Sequence, residues 1–195
     1  MNVIVRRKAY GVPIRRPAYG VKMWRAAHGV LIRRVAYGVL LSTAVALAPR
    51  AARAQDTGLP LGSAAPSAML QTLDGKTVDL AQVAKGPAVI EFWATWCENC
   101  EHLLPAMQRA QAKYGTRVKF VAVAVSVNQS VRRVQLHVAK HKVPGMQLFD
   151  TKGEATGRWD VPATSHVVVL DRRGRVVYTG VGGDQDIEAA IRKAL

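Results

Sequence analysis

Glu91-Phe92-Trp93-Ala94-Thr95-Trp96-Cys97-Glu98-Asn99-Cys100 is the stretch from which the rest of the chain can be read. It holds both cysteines of the protein, two residues apart, directly after the apolar run that begins at Pro87. Beyond it Leu103, Leu104, Met107, Ala110 and Ala112 recur at roughly helical spacing as far as Gly115, a natural stop. A C-x-x-C that follows a strand and opens a helix, inside a β/α alternation, is the setting in which two cysteines do thiol redox chemistry.

Outward from that stretch the pattern stays α/β. Pro87 to Trp93 is almost continuously apolar, as a strand buried on both faces should be, and Val118 to Val127 is a second such strand, rich in valine. Gln129 to Lys142 reads as a helix ending before Pro144, and Met146 to Phe149 as a short strand ending at Asp150. Asp74-Gly75, between Ala68–Leu73 and Thr77–Leu80, is a strong hairpin signal. A second hairpin joins Val167–Leu170 to Val176–Thr179 around Asp171-Arg172-Arg173-Gly174, and Asp184 to Leu195 reads as a closing helix. Two hairpins flanking a βαβ core predict a three-layer α/β domain, with a mixed central sheet, helices on both faces and an N-terminal hairpin extension.

Charge divides the chain unevenly. Residues 1–54 carry eleven Lys/Arg and no acid, whereas the remaining 141 residues carry 17 Lys/Arg against 13 Asp/Glu. The first forty residues repeat at a nine-residue period, as in Ala9-Tyr10-Gly11-Val12 and Ala18-Tyr19-Gly20-Val21, which is too short for a core-building solenoid. Arg33-Arg34, an apolar stretch from Val35 to Ala48 and Ala52-Arg53-Ala54 follow the order of a secretory signal. We therefore expect a basic leader over 1–54 with cleavage after Ala54 and a possible start at Met23, a linker over 55–66, and a domain over 67–195. The apolar stretch is shorter than the ~20 residues a spanning helix needs, so membrane contact is expected only through a leader that stays uncleaved. Scattered basic residues without interleaved aromatics give no nucleic-acid surface, and the expected state is a monomer in the periplasm or on the extracytoplasmic face of the membrane.

A cysteine reacts as its thiolate, and a helix N-terminus favours that form through unpaired N–H groups and the positive end of its dipole. Cys97, at the predicted strand-to-helix turn, is expected to be the exposed attacker, and Cys100, one turn inward, the buried resolving thiol. A permanent structural bridge is a poor alternative, because so short a loop hardly constrains the unfolded chain.

Phe92-Trp93-Ala94-Thr95-Trp96-Cys97-Glu98-Asn99-Cys100 followed by Pro105 resembles the active-site segment of the thioredoxin superfamily. The leader, Asp74-Gly75 and Leu170-Asp171…Gly174 resemble its TlpA/ResA-like thiol-disulfide oxidoreductases, over residues 60–195. The resemblance implies a thioredoxin-like fold with Cys97 as nucleophile, Cys100 as resolver and Pro105 kinking the active-site helix. It implies no cofactor beyond the redox-active Cys97–Cys100 disulfide, and as partners protein thiols or disulfides and an upstream electron donor. Glu91 aligns with the superfamily's buried acid and is expected to relay protons to Cys100. The loop opposite the cysteines, Thr164-Ser165-His166, is expected with Trp96 to dock substrate. Ser165 stands where the family has a cis-proline, and a non-proline cis bond costs about 2.5–4 kcal/mol, so the family's loop geometry is not guaranteed.

Two functions follow. One is an exported oxidoreductase acting as a reductant on protein thiols, such as those of apocytochromes. The acids Glu98 and Glu101 disfavour the thiolate and so argue against the strongly oxidising end. The other is a copper-binding chaperone using Cys97, Cys100 and His166, since two thiolates and an imidazole suit copper or zinc. Peroxide reduction is disfavoured, because no Thr/Arg peroxide constellation is recognisable. His102 reads as a solvated helix residue, and His137 and His141, four apart, as residues of an exposed helix face.

Overall fold

A computed structural model describes residues 58–195, so the expected leader and its cleavage site lie outside the described residues. One seven-stranded sheet runs through the domain in the order β2-β1-β5-β4-β3-β6-β7. At its centre β3 (Ala88–Trp93), with all six residues buried, pairs parallel to β4 (Lys119–Val125) and antiparallel to β6 (His166–Leu170). β5 (Met146–Asp150) continues the sheet parallel to β4, and β7 (Val176–Val181) closes the other side antiparallel to β6. The N-terminal hairpin forms as the sequence predicts: β1 (Met69–Thr72) and β2 (Thr77–Asp79) turn at Gly75, whose φ of +89° is one glycine reaches without steric cost.

Strand alternation sends successive side chains to opposite faces. Ile90, Phe92, Val121, Val123, Val168 and Leu170 pack on one face with Leu80, Ala155 and Trp159. These last come from α1 (Leu80–Val83), α4 (Glu154–Arg158) and the residue that follows it. On the other face Val89, Val167 and Val169 meet Leu103, Met107 and Ala110 of α2 (Glu98–Tyr114) and Ile187, Ala190 and Ile191 of α5 (Ile187–Arg192). Val134 of α3 (Val131–His141) covers Ala122 and Ala124 there. The expected three layers are therefore present.

Several boundaries differ from the sequence reading. Leu80 opens a helix instead of ending a strand, because the Asp79 side chain accepts the Ala81 N–H at 2.9 Å and caps it. The closing helix starts three residues late, at Ile187, since Asp186 is its cap and accepts the Ala189 N–H at 2.8 Å. α4 has no counterpart in the sequence reading. Buried Asp150 organises it, accepting from the Thr156 N–H at 2.8 Å and hydroxyl at 2.7 Å. The expected linker is not loose where it is described: Gly62 N–H donates to Val176 O at 2.7 Å, Ala65 N–H to Gly174 O at 3.1 Å, and Leu59 is buried. β7 is an edge strand, and the lead-in satisfies backbone groups that this edge would otherwise leave open.

Candidate active site

β3 delivers the chain to a short turn, and α2 starts immediately after Cys97. Cys97 is the N-cap of that helix, with its sulfur accepting the Cys100 N–H at 3.1 Å. The sulfur thus occupies the site where a helix presents N–H groups and partial positive charge. Cys97 and Cys100 are joined in a disulfide, with Cα atoms 5.2 Å apart. Exposure does not separate the two as expected: Cys97 is 5% exposed and Cys100 6%. Their difference is positional, because only Cys97 caps the helix. The helix continues through Pro105, which cannot supply the N–H that Glu101's carbonyl would otherwise receive. Gln129 braces the turn from the start of the α3 region, accepting the Thr95 N–H at 2.8 Å while its own amide donates to Val125 O.

Glu91 lies within β3, 3% exposed. Burial alone pushes its carboxyl up to about 8. It lines a cavity of about 10 Å³ together with Trp93, Ala94, Cys100, Glu101, Leu104, His137 and Val143. The structure thus brings Glu91 and Cys100 to one small space. His137 reaches the same space and is not the plain exposed-face residue expected. Its ring lies 5.3 Å from that of Trp93 and stacks on His141 at 4.2 Å.

The docking set divides. Trp96 is 44% exposed, donates its indole N–H to Val127 O at 2.8 Å, and lines an apolar groove of about 440 Å³ with Val127, Val161, Pro162, Ala163 and Thr164. Ser165 and His166 are closed off from solvent. No peptide bond among the described residues is cis, and Ser165 takes a left-handed backbone, φ +64°. For a non-glycine residue that conformation costs roughly 1–2 kcal/mol. Three hydrogen bonds hold it: Ser165 Oγ to Gly182 O at 2.9 Å, and the Ser165 carbonyl accepting Gly182 N–H at 3.2 Å and Gln185 Nε2 at 3.0 Å.

His166 corrects the metal alternative. It pairs opposite Phe92 in the sheet and its ring lies 6.1 Å from the Phe92 ring, on the face of Ile90 and Trp159, whereas Glu91 and Trp93 share the Cys100 cavity. Alternation along the strands therefore turns the imidazole to the sheet face opposite the one that carries Glu91, Trp93 and the Cys100 cavity. Burial lowers its pKa, with the Gly180 backbone opposing. Among the described residues no group of three or more His, Cys, Asp or Glu side chains is arranged to hold a metal. His102 is solvated as expected, 3.5 Å from Asp184. Sequence reasoning missed Gln129 and Gln185, single glutamines in loops with no spacing signal. It also missed His137 at the cavity, although His137 sits three residues after Val134, the buried position of the same helix.

Residues 60–195 match the model of the Redoxin family. The thioredoxin-like protein YneN of Bacillus subtilis is 32% identical over 130 residues, covering 66% of this chain and 75% of that protein. The thiol-disulfide oxidoreductase ResA of the same organism is 28% identical over 62% of this chain and 67% of its own length. Among solved structures, a secreted Mycobacterium tuberculosis disulfide oxidoreductase homologous to Escherichia coli DsbE is 27% identical, with a TM-score of 0.55 over 65% of this chain and 93% of that one. With a helix-capping C-x-x-C disulfide at the end of the central strand of such a sheet, the chain belongs to the redoxin family, as a TlpA/ResA-like thiol-disulfide oxidoreductase of the thioredoxin superfamily.

Proposed function

We propose that the protein is an exported reductant of protein disulfides, cycling between the Cys97–Cys100 disulfide and dithiol. The observation that carries this is the Cys97 sulfur on the α2 N-terminus with Glu98 and Glu101 in the same first turn. The helix end favours a Cys97 thiolate that attacks, while two carboxylates oppose that charge and keep the dithiol from being strongly stabilised. A dithiol of that kind gives up its electrons readily. In the cycle the Cys97 thiolate attacks a substrate disulfide, forming a mixed disulfide and releasing the first substrate thiolate. Cys100, deprotonated by Glu91, then attacks the Cys97 sulfur, closing the intramolecular bond and releasing the second. Two electrons pass to the substrate, and an upstream dithiol donor restores them. An extended segment lying in the groove beside Trp96 and Thr164 would bring its disulfide to Cys97.

The leader pattern of residues 1–54 and the secreted solved relative support export to the periplasm or the extracytoplasmic face of the membrane, with disulfides of exported proteins, such as those of apocytochromes, as substrates. Equilibrating the full-length protein with redox buffers and measuring the Cys97/Cys100 potential tests the reductant reading. A value nearer −270 than −120 mV, on the scale of about −270 to −120 mV spanned by C-x-x-C proteins, is expected. A value at the oxidising end would reverse the assigned direction.

A further inference from the structure

Glu91 must trade protons with solvent, yet it is 3% exposed. Burial favours its protonated carboxyl near neutrality, so before each resolution step it has to lose a proton in order to accept the one on Cys100. The cavity it shares with Cys100 holds about 10 Å³, room for one water. Trp93, on the same cavity and 2% exposed, has an indole N–H with no partner among the described residues, so a water there would meet a donor as well as the carboxyl and the sulfur. Leu104 and Val143 make the rest of the lining apolar and leave Glu101 and His137 as its other titratable groups. An imidazole changes protonation near neutrality, and a surface carboxylate does not.

We propose that His137 is the proton port of this cavity, carrying protons between Glu91 and solvent by way of a single water. This rests on Glu91 being the relay for Cys100. His137 acts through Glu91, so it positions a proton path and is not itself catalytic. The neutral imidazole takes the Glu91 proton, becomes imidazolium and releases the proton to bulk water, leaving a Glu91 carboxylate. That carboxylate takes the Cys100 proton, and the Cys100 thiolate then attacks Cys97: the Cys97–Cys100 bond forms, the Cys97–substrate bond breaks, and the substrate leaves as a thiolate. The charged groups that act on His137 are Glu101 from α2 and His141, Lys140 and Arg133 from its own helix; burial and the three basic neighbours lower its pKa and Glu101 opposes them. A ring so biased is neutral at rest, able to accept and quick to release.

The test uses the reduced full-length protein and 5,5′-dithiobis(2-nitrobenzoate). Attack by Cys97 releases one thionitrobenzoate, and resolution by Cys100 releases the second. His137→Ala and His137→Gln should leave the first release unchanged and slow the second roughly tenfold near neutral pH. The deficit should shrink as hydroxide takes over at high pH, and added imidazole should restore the rate in His137→Ala. A second release at the wild-type rate in either variant, a slowing that imidazole does not relieve, or an equal slowing in a Glu91→Gln background overturns the port. If Glu91→Gln alone leaves the second release unchanged, the relay itself fails; if Glu91→Gln is slow and His137→Ala is not, only the port fails.

Discussion

Glu91→Gln removes from the protein's stability the pH dependence that this one buried carboxyl imposes. The folded state holds the Glu91 proton up to about pH 8, whereas an ordinary glutamate, as in the unfolded chain, loses it near 4.5. Because the folded-state pKa is raised, the native protein binds the extra proton between those values, and its stability falls as pH rises through the window. At 1.36 kcal/mol per pKa unit, the cost is near zero below pH 4.5, about 3 kcal/mol at pH 7 and about 5 kcal/mol above pH 8. A glutamine in this place keeps the size of the side chain and cannot ionise, so the variant should gain on the wild type by that rising amount. Urea unfolding of the two oxidised proteins at about pH 4, 7 and 9 measures it, and other titrating groups cancel in the difference. A difference that is the same at pH 4 and pH 9 would refute the argument, because it would mean that the carboxyl ionises in place without penalty.

Other perturbations reach other parts of the fold. Trp159→Ala removes a fully buried ring that packs 5.9 Å from Phe92, and should cost about 3–5 kcal/mol in urea unfolding; a loss under about 1 kcal/mol would mean that the face beneath α4 is not core. His166→Leu should flatten the acid side of the stability curve. Burial lowers the folded pKa, so below about pH 6.5 the unfolded chain takes a proton that the folded chain refuses, and stability drops as pH falls; an unaltered slope between pH 7 and 5 would count against this. Gln129→Ala strands the Thr95 N–H, a loss of about 1–3 kcal/mol, and should speed amide exchange at Thr95 ahead of the residues of β3; protection equal to wild type would show that the brace is redundant.

What could be read in the sequence was what period and turn chemistry encode. Strands buried on both faces announced themselves as apolar runs, and Asp74-Gly75 fixed a hairpin whose register, Leu70 opposite Val78, follows from the turn. α4 left no such trace. It is five residues long, contains Gly157, and exists because Asp150, distant by one turn of loop, satisfies its first N–H groups. A helix held by a single buried carboxylate has no periodicity to detect. The lead-in over 59–65 escaped for a related reason: its partner is the edge of β7, more than a hundred residues later, and strand pairing at that separation leaves no local pattern.

The site shows the same division between what lies along one strand and what lies between strands. Cys97, Cys100 and Glu91 could be placed together because a strand leading into a helix fixes their relation within ten residues. His166 could not, since whether it meets the sulfurs depends on which face of β6 it occupies, and that parity is set by the register Phe92 opposite His166. A shift of one residue would have turned the imidazole to the Glu91 face and kept the metal set alive. His137 is the converse. Its helix reads as exposed from residue types alone, yet packing Val134 against Ala122 and Ala124 rotates the next turn so that a histidine comes to rest on Trp93 beside the buried acid. The titratable groups lining the cavity beside Cys100 therefore come from three elements, β3, α2 and α3, and only the first two are joined by a turn short enough for the sequence to reveal it.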